Sequence, residues 1–309
     1  MTARQWQLAH GQQVVGWLHS SGVAARLLED ICAAVEATVV WIVADNPEVA
    51  RRVITQFSDV LNKCDSLTFD AVDQALAYLI LHLPDRYSRM FQVLERLLLS
   101  GALPLGKSDN FAAIDIGAGP GPGIFAIRSF YAALAHHVSL HDPSRPVATL
   151  GDTDVVERSQ GMPWVMHRFA EALVTIEQGH PTAPGAGHGT PNPCAVELRH
   201  SAAPFGADYV DFSALDVPQD YQRTRRELAD ELYDDDSLEL SRSGANRLAY
   251  QEPVKRPSAY ALAVMMNFLT TTDAIPRFSD AIERLMRGSL VPGGTILVLG
   301  GVGRDYRAI

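Results

Sequence analysis

A string of glycines between a short apolar run and an amphipathic segment constrains this chain more than any other feature. Phe111-Ala112-Ala113-Ile114-Asp115-Ile116 has the character of a strand buried on both faces of a parallel sheet. It runs directly into Gly117-Ala118-Gly119-Pro120-Gly121-Pro122-Gly123. Alternating glycines let a ligand approach the backbone closely, and the amides of the helix that follows point toward it. That helix reads from Ile124 to Ala135, and Val138-Ser139-Leu140-His141 reads as a second strand. Strand, glycine turn, helix and strand make the βαβ unit of a doubly wound α/β sheet.

The alternation returns downstream. Tyr209 to Phe212 and Tyr260 to Met266 read as strands, Pro276 to Arg287 as a helix, and Thr295 to Leu299 as a strand after the turn Pro292-Gly293-Gly294. Asp142 and Tyr260 are 118 positions apart, which predicts an insertion at about 145–255. Within it, Gln178 to Pro193 reads as a loop. Glu227 to Glu239, with seven acids and no base, reads as a solvated helix face or an acidic loop. Upstream of residue 106 everything reads as helix, in the spacing of Val14, Val15 and Leu18, of Leu27, Leu28, Ile31 and Val35, and of Leu76, Leu79, Ile80 and Leu83. Asn46-Pro47-Glu48 reads as a helix start, and a further helix, Arg86 to Leu99, ends at Ser100-Gly101. The expected organisation is a helical domain over 1–105 and an α/β domain over 106–309.

Composition removes several classes. With 309 residues, 47% hydrophobic and 20% charged, the profile is that of a globular protein that needs no disulfide or metal staple. The best apolar run, Ile31 to Ala44, is too short for a bilayer and carries Glu36, and Met1 to Trp6 lacks a secretory signal, so a cytoplasmic protein without membrane association is expected. Cys32, Cys64 and Cys194 form no Cys-x-x-Cys pair, and His180, His188, Cys194 and His200 match no zinc spacing, so no metal is expected. His136, His137 and His141 suit helix-end or surface roles. A net charge of −10 disfavours nucleic acid as a partner without excluding it. Gly101 to Ser108 spells a phosphate loop, but a helix precedes it and a strand follows, the wrong context for one.

The glycine loop itself fails the dinucleotide pattern, because the sixth position is Pro122 or Ile124. What remains, Asp115-x-Gly117-x-Gly119-x-Gly121, resembles the first motif of the class I S-adenosylmethionine-dependent methyltransferases, over about 200 residues from Phe111 onward. The resemblance implies a Rossmann-like sheet with Asp115, Gly117, Ala118, Gly119 and Gly121 against the cofactor. A nucleoside ligand also calls for an acid about 20 residues beyond the glycine loop. Asp142, followed by Pro143, comes 19 residues after Gly123, and the resemblance gives it the ribose hydroxyls. It likewise implies Asp216 near the adenine, and Asn267 and Phe268 lining the pocket after the fourth strand. Met266-Asn267-Phe268-Leu269-Thr270 is not the Asn/Asp-Pro-Pro-Tyr/Phe signature of amino-group methylation, and a small-molecule acceptor is favoured. Ile309 follows ten residues after Leu299, short of the family's last two strands, so the expectation is a fragment of a longer protein, an abbreviated sheet lacking those strands, or an edge covered by the helical domain, which bears on catalytic competence. Leu83-Pro84-Asp85-Arg86-Tyr87 is positioned to bring Arg86 or Tyr87 to the cofactor's mouth. Together with the glycine loop it is similar to the methyltransferase-like proteins of the mitochondrial small ribosomal subunit, although that family's metal-binding cysteines and basic character are missing. A ribosome-associated protein, or a non-catalytic protein of this fold, therefore stands as an alternative, and the helical domain is a candidate homodimer contact.

Overall fold

The helical spacing upstream of the sheet produces four helices, α1 (Ala3–Ser20), α2 (Val23–Val43), α3 (Pro47–Lys63) and α4 (Val72–Ser100). The structure is a computed structural model and describes residues 1–44, 47–64, 67–105, 110–145, 147, 149–157, 159, 161–179, 207–209, 260–266, 278–279, 282–283, 285–287 and 289–300. One helix, α4, replaces the two expected around Pro84. Leu76, Leu79, Leu83, Tyr87, Met90, Leu94 and Leu98 are all buried at three- and four-residue spacing, an unbroken apolar stripe across the proline. Packing along that stripe offsets the roughly 3 kcal/mol that an interior proline costs a helix. Gly101, with φ of 75°, ends it where the sequence predicts.

Downstream come β1 (Asn110–Ile116), α5 (Pro122–His141), β2 (Thr149–Val156), α6 (Gly161–Gly179), β3 (Ala207–Tyr209), β4 (Tyr260–Met266) and β5 (Leu290–Leu299). The five strands pair in parallel in the order β3-β2-β1-β4-β5, the order of a Rossmann-like sheet. Phe111, Ala113, Leu262 and Val264 face one hydrophobic cluster that also takes in buried residues of α1 to α6. Ile114, Ile116, Ala263 and Met265 face a second, closed by Phe278, Ile282 and Leu285 from helical turns at 278–279, 282–283 and 285–287. The central strands β1 and β4 are covered on both faces, which is why they read as continuous apolar runs.

Three expectations need correction. Residues 138–141 are the last turn of α5 and not a strand, because Val138 lies four residues beyond Leu134 on the same buried face. The second strand is β2, so residues 149–179, counted in the expected insertion, form an ordinary βα unit of the sheet. Pro292-Gly293-Gly294 does not precede β5 but lies within it, as an irregularity in the pairing with β4 that Gly293 accommodates at φ of 82°. Among the described residues no helix is long and apolar enough to cross a membrane. The acidic stretch 227–239, the histidine-containing segment 180–200 and residues 106–108 of the phosphate-loop lookalike lie outside the described residues.

The far end of α5 packs on α1, where the His137 ring lies 4.9 Å from Trp17 and 4.4 Å from His141. Burial, reinforced by His141, His136 and His10, pushes His137 down to about 4 from an ordinary 6.5. The folded state therefore prefers the neutral ring, and stability present above pH 6.5 is lost as pH falls toward 4. His137→Gln is expected to flatten that acid limb, read as the denaturant midpoint between pH 7 and pH 5. An unchanged limb would place the acid sensitivity elsewhere.

Candidate functional site

The strand order reverses between β1 and β4, and in such sheets a ligand crevice opens outside the carboxyl ends of the strands at that point. The glycine loop sits there. The Gly117 amide donates to the Val156 carbonyl at 2.7 Å, the Ala118 amide to the same carbonyl at 3.3 Å, and the Gly121 amide turns back to Ala118 at 3.0 Å. Gly121 starts α5 in the left-handed region, at φ of 86°, and a Cβ there would lie 2.9 Å from both Met166 Sδ and Phe125 Cε2. Glycine is thus required by backbone conformation and by packing alike.

Asp115, next to last in β1, is a fully buried carboxylate on the α5 side of the sheet. Oδ2 would lie 2.8 Å from a Cβ at Gly123, so that glycine lets the acid rest on the first turn of α5. Neither carboxylate oxygen has a well-formed hydrogen bond among the described residues. Burial, and then the charge of Glu157, raise Asp115 to about 7; the Ile124 amide at the helix start acts the other way.

Glu157 immediately follows β2, beside the end of β1. Its Oε2 accepts from the Gly119 amide at 2.7 Å and its Oε1 from the Ser159 amide at 2.8 Å. Ser159 is buried, and its hydroxyl has no hydrogen-bond partner among the described residues. The missing side chain of Gly119 points at Tyr78 of α4, whose Cε1 would be 3.6 Å from a Cβ there.

Asp115, Gly117, Ala118, Gly119 and Gly121 therefore lie together at the end of β1 and the start of α5. Asp142 is not with them. It caps the C-terminus of α5, a helix of 20 residues and so roughly 30 Å long, at the end away from the loop. There its Oδ2 accepts from the Trp6 indole at 3.2 Å and its Oδ1 from the Ser144 hydroxyl at 2.9 Å, with Pro143 exposed beside it. The strand that was to place Asp142 at a sheet tip is helix, and the acid at the tip of the second strand is Glu157. Tyr87 is core, stacked on Phe91, whereas Arg86 lies over Tyr78. Asp216, Asn267 and Phe268 lie outside the described residues. Sequence reasoning missed Glu157, Ser159 and Tyr78; the signal for the first is Val155-Val156-Glu157, an apolar pair leading into an acid. Among the described residues no three ligating side chains come together to hold a metal. No family model, no curated protein and no solved structure matches this chain.

Proposed function

We propose that this crevice binds S-adenosylmethionine and that the chain is a methyltransferase, with a small molecule as the favoured acceptor. The observation that carries the reading is the Glu157 carboxylate at the tip of β2, held by the amides of Gly119 and Ser159. Each of its oxygens keeps a second lone pair, which suits the paired hydroxyls of a ribose. The residues also fit the rest of such a ligand. Asp115 adds a buried carboxylate with no well-formed hydrogen bond among the described residues, an acceptor for an ammonium group, and the glycines leave the loop without side chains. The role expected of Asp142 passes to Glu157.

The cofactor, when bound, supplies a methyl group already activated on a sulfonium. The protein's share of the work is then to hold donor and acceptor in line and to exclude water. Gly117 to Gly121 and Glu157 do the holding, their amides and carboxylate being fixed against one another.

Calorimetric titration with S-adenosylhomocysteine tests the reading. The wild-type chain is expected to bind saturably. Glu157→Ala is expected to weaken binding by about tenfold to a hundredfold, the value of hydrogen bonds to a charged acceptor. Asp142→Ala should leave affinity unchanged. No heat with the wild type at millimolar ligand would end this reading, and equal losses in both variants would end the assignment of Glu157.

A further inference from the structure

We propose that the last turn of α5 carries a transition-metal site, in which His137 and His141 together hold a divalent cation of the nitrogen-loving class, Zn²⁺, Ni²⁺ or Cu²⁺. The site lies at the end of α5 away from the glycine loop and stands independently of the reading of the crevice.

The geometry comes from helical spacing. Residues four apart on a helix share a face, and two histidines so placed are the pair by which helical metal sites bring two imidazoles to one ion. His137 and His141 meet this condition, with ring centres 4.4 Å apart. An ion about 2.1 Å from a nitrogen of each imidazole spans such a separation. His137 is 4% exposed, and its Nδ1 is buried without a hydrogen-bond partner among the described residues. A buried ring nitrogen in that condition calls for a water or an ion. Trp17 of α1 packs 4.9 Å from the His137 ring and fixes it. His141 is exposed, so the pair opens to solvent on its side and an ion can enter there.

The chemistry of the donors selects the ion. Imidazole suits zinc, nickel and copper, whereas magnesium and calcium take oxygen. A histidine ligates in its neutral form, and burial together with His141, His136 and His10 keeps the His137 ring uncharged, so protons compete weakly for it. His141 is the last residue of α5, where the free carbonyls of a helix carry partial negative charge and favour a cation. No set of three ligating side chains forms among the described residues, so water fills the remaining coordination positions. Asp142 stays outside the pair because its oxygens accept from Trp6 and Ser144. On α6, His167 bonds at 3.1 Å to Glu171, four positions on, and so serves as the comparison.

The test is calorimetric titration of the full chain with Zn²⁺ and with Mg²⁺. Wild type should take up Zn²⁺ saturably at micromolar concentrations and give no heat with Mg²⁺. His141→Gln removes an exposed ring and leaves the core as it is; it should weaken Zn²⁺ binding by at least about tenfold, the lower end of what losing even a supporting contact of a metal ligand costs. His137→Gln should do the same, and His167→Gln should behave as wild type. Cu²⁺ gives a second readout that a merely structural role would not move: the electron paramagnetic resonance of the wild-type complex should show two coordinated imidazole nitrogens, and that of His141→Gln one. Wild type without saturable Zn²⁺ uptake overturns the site. So do His137→Gln and His141→Gln variants that titrate as wild type, and so does Mg²⁺ binding as tight as that of Zn²⁺, which would mark a site built of oxygens.

Discussion

Replacing Arg128 by methionine is expected to destabilise the fold by about 3–5 kcal/mol, the range for removing one partner of a buried ion pair. Arg128 of α5 and Glu177 of α6 meet as a two-pronged pair, Nη1 to Oε1 at 2.9 Å and Nη2 to Oε2 at 2.6 Å, with both side chains more than nine-tenths buried. Most of the cost comes from the carboxylate left behind in an apolar interface, not from the attraction lost. Arg128→Met combined with Glu177→Met should therefore recover most of the loss, because no uncompensated charge remains. Urea unfolding midpoints of the two single variants and the double variant measure this. A single variant costing under about 1 kcal/mol would mean that water reaches the pair. The consequence for function is direct, since the pair ties together the two helices that begin at the glycine loop and just beyond Glu157.

How far these features could be read in advance depended on whether burial or pairing produced them. β1 and β4 are covered on both faces, so each appears as an apolar run, and the glycine loop is visible because close approach and left-handed backbone leave few alternatives to glycine. The N-terminal helices were legible from their spacing. β2 was not, because Thr149-Leu150-Gly151-Asp152-Thr153-Asp154 breaks the apolar pattern, and the buried Asp154 accepts from the Tyr260 hydroxyl of β4. Nothing local announces that partner, 106 positions away. The error over Asp142 follows from the same cause. With β2 hidden, the spacing points to an acid about 20 residues beyond the loop, whereas α5 and its connection put the strand tip at Glu157, 34 residues after Gly123 (157 − 123). Tyr78 was beyond reach for another reason: its role comes from the docking of α4 on Gly119, a tertiary contact between residues 41 apart (119 − 78).

Asp115→Asn is expected to move stability and ligand binding in opposite directions. The carboxyl is held at about 7 in the folded chain against an ordinary 3.8. Below pH 4 both states carry the proton. Between about 4 and 7 the unfolded chain releases it and the folded chain does not, so each pH unit removes about 1.4 kcal/mol of stability; above 7 both are ionised and the loss stops. Asparagine has nearly the same shape and never ionises. The variant should match wild type near pH 4 and exceed it by about 2–4 kcal/mol at pH 8, read from denaturant midpoints at the two values. The same pH dependence in both proteins would show that Asp115 is not the group responsible. An isolated buried acid is what a binding site requires and a core does not, and retaining one where asparagine would be more stable fits the common exchange of stability for activity. An ammonium-bearing ligand would add a donor beyond the Ile124 amide and favour the charged form. Asparagine has no charge to match, so affinity for S-adenosylhomocysteine should fall by about tenfold or more while the fold becomes steadier. A variant that lost stability and affinity together would instead mark Asp115 as structural, its carboxylate needed by the first turn of α5 and not by a ligand.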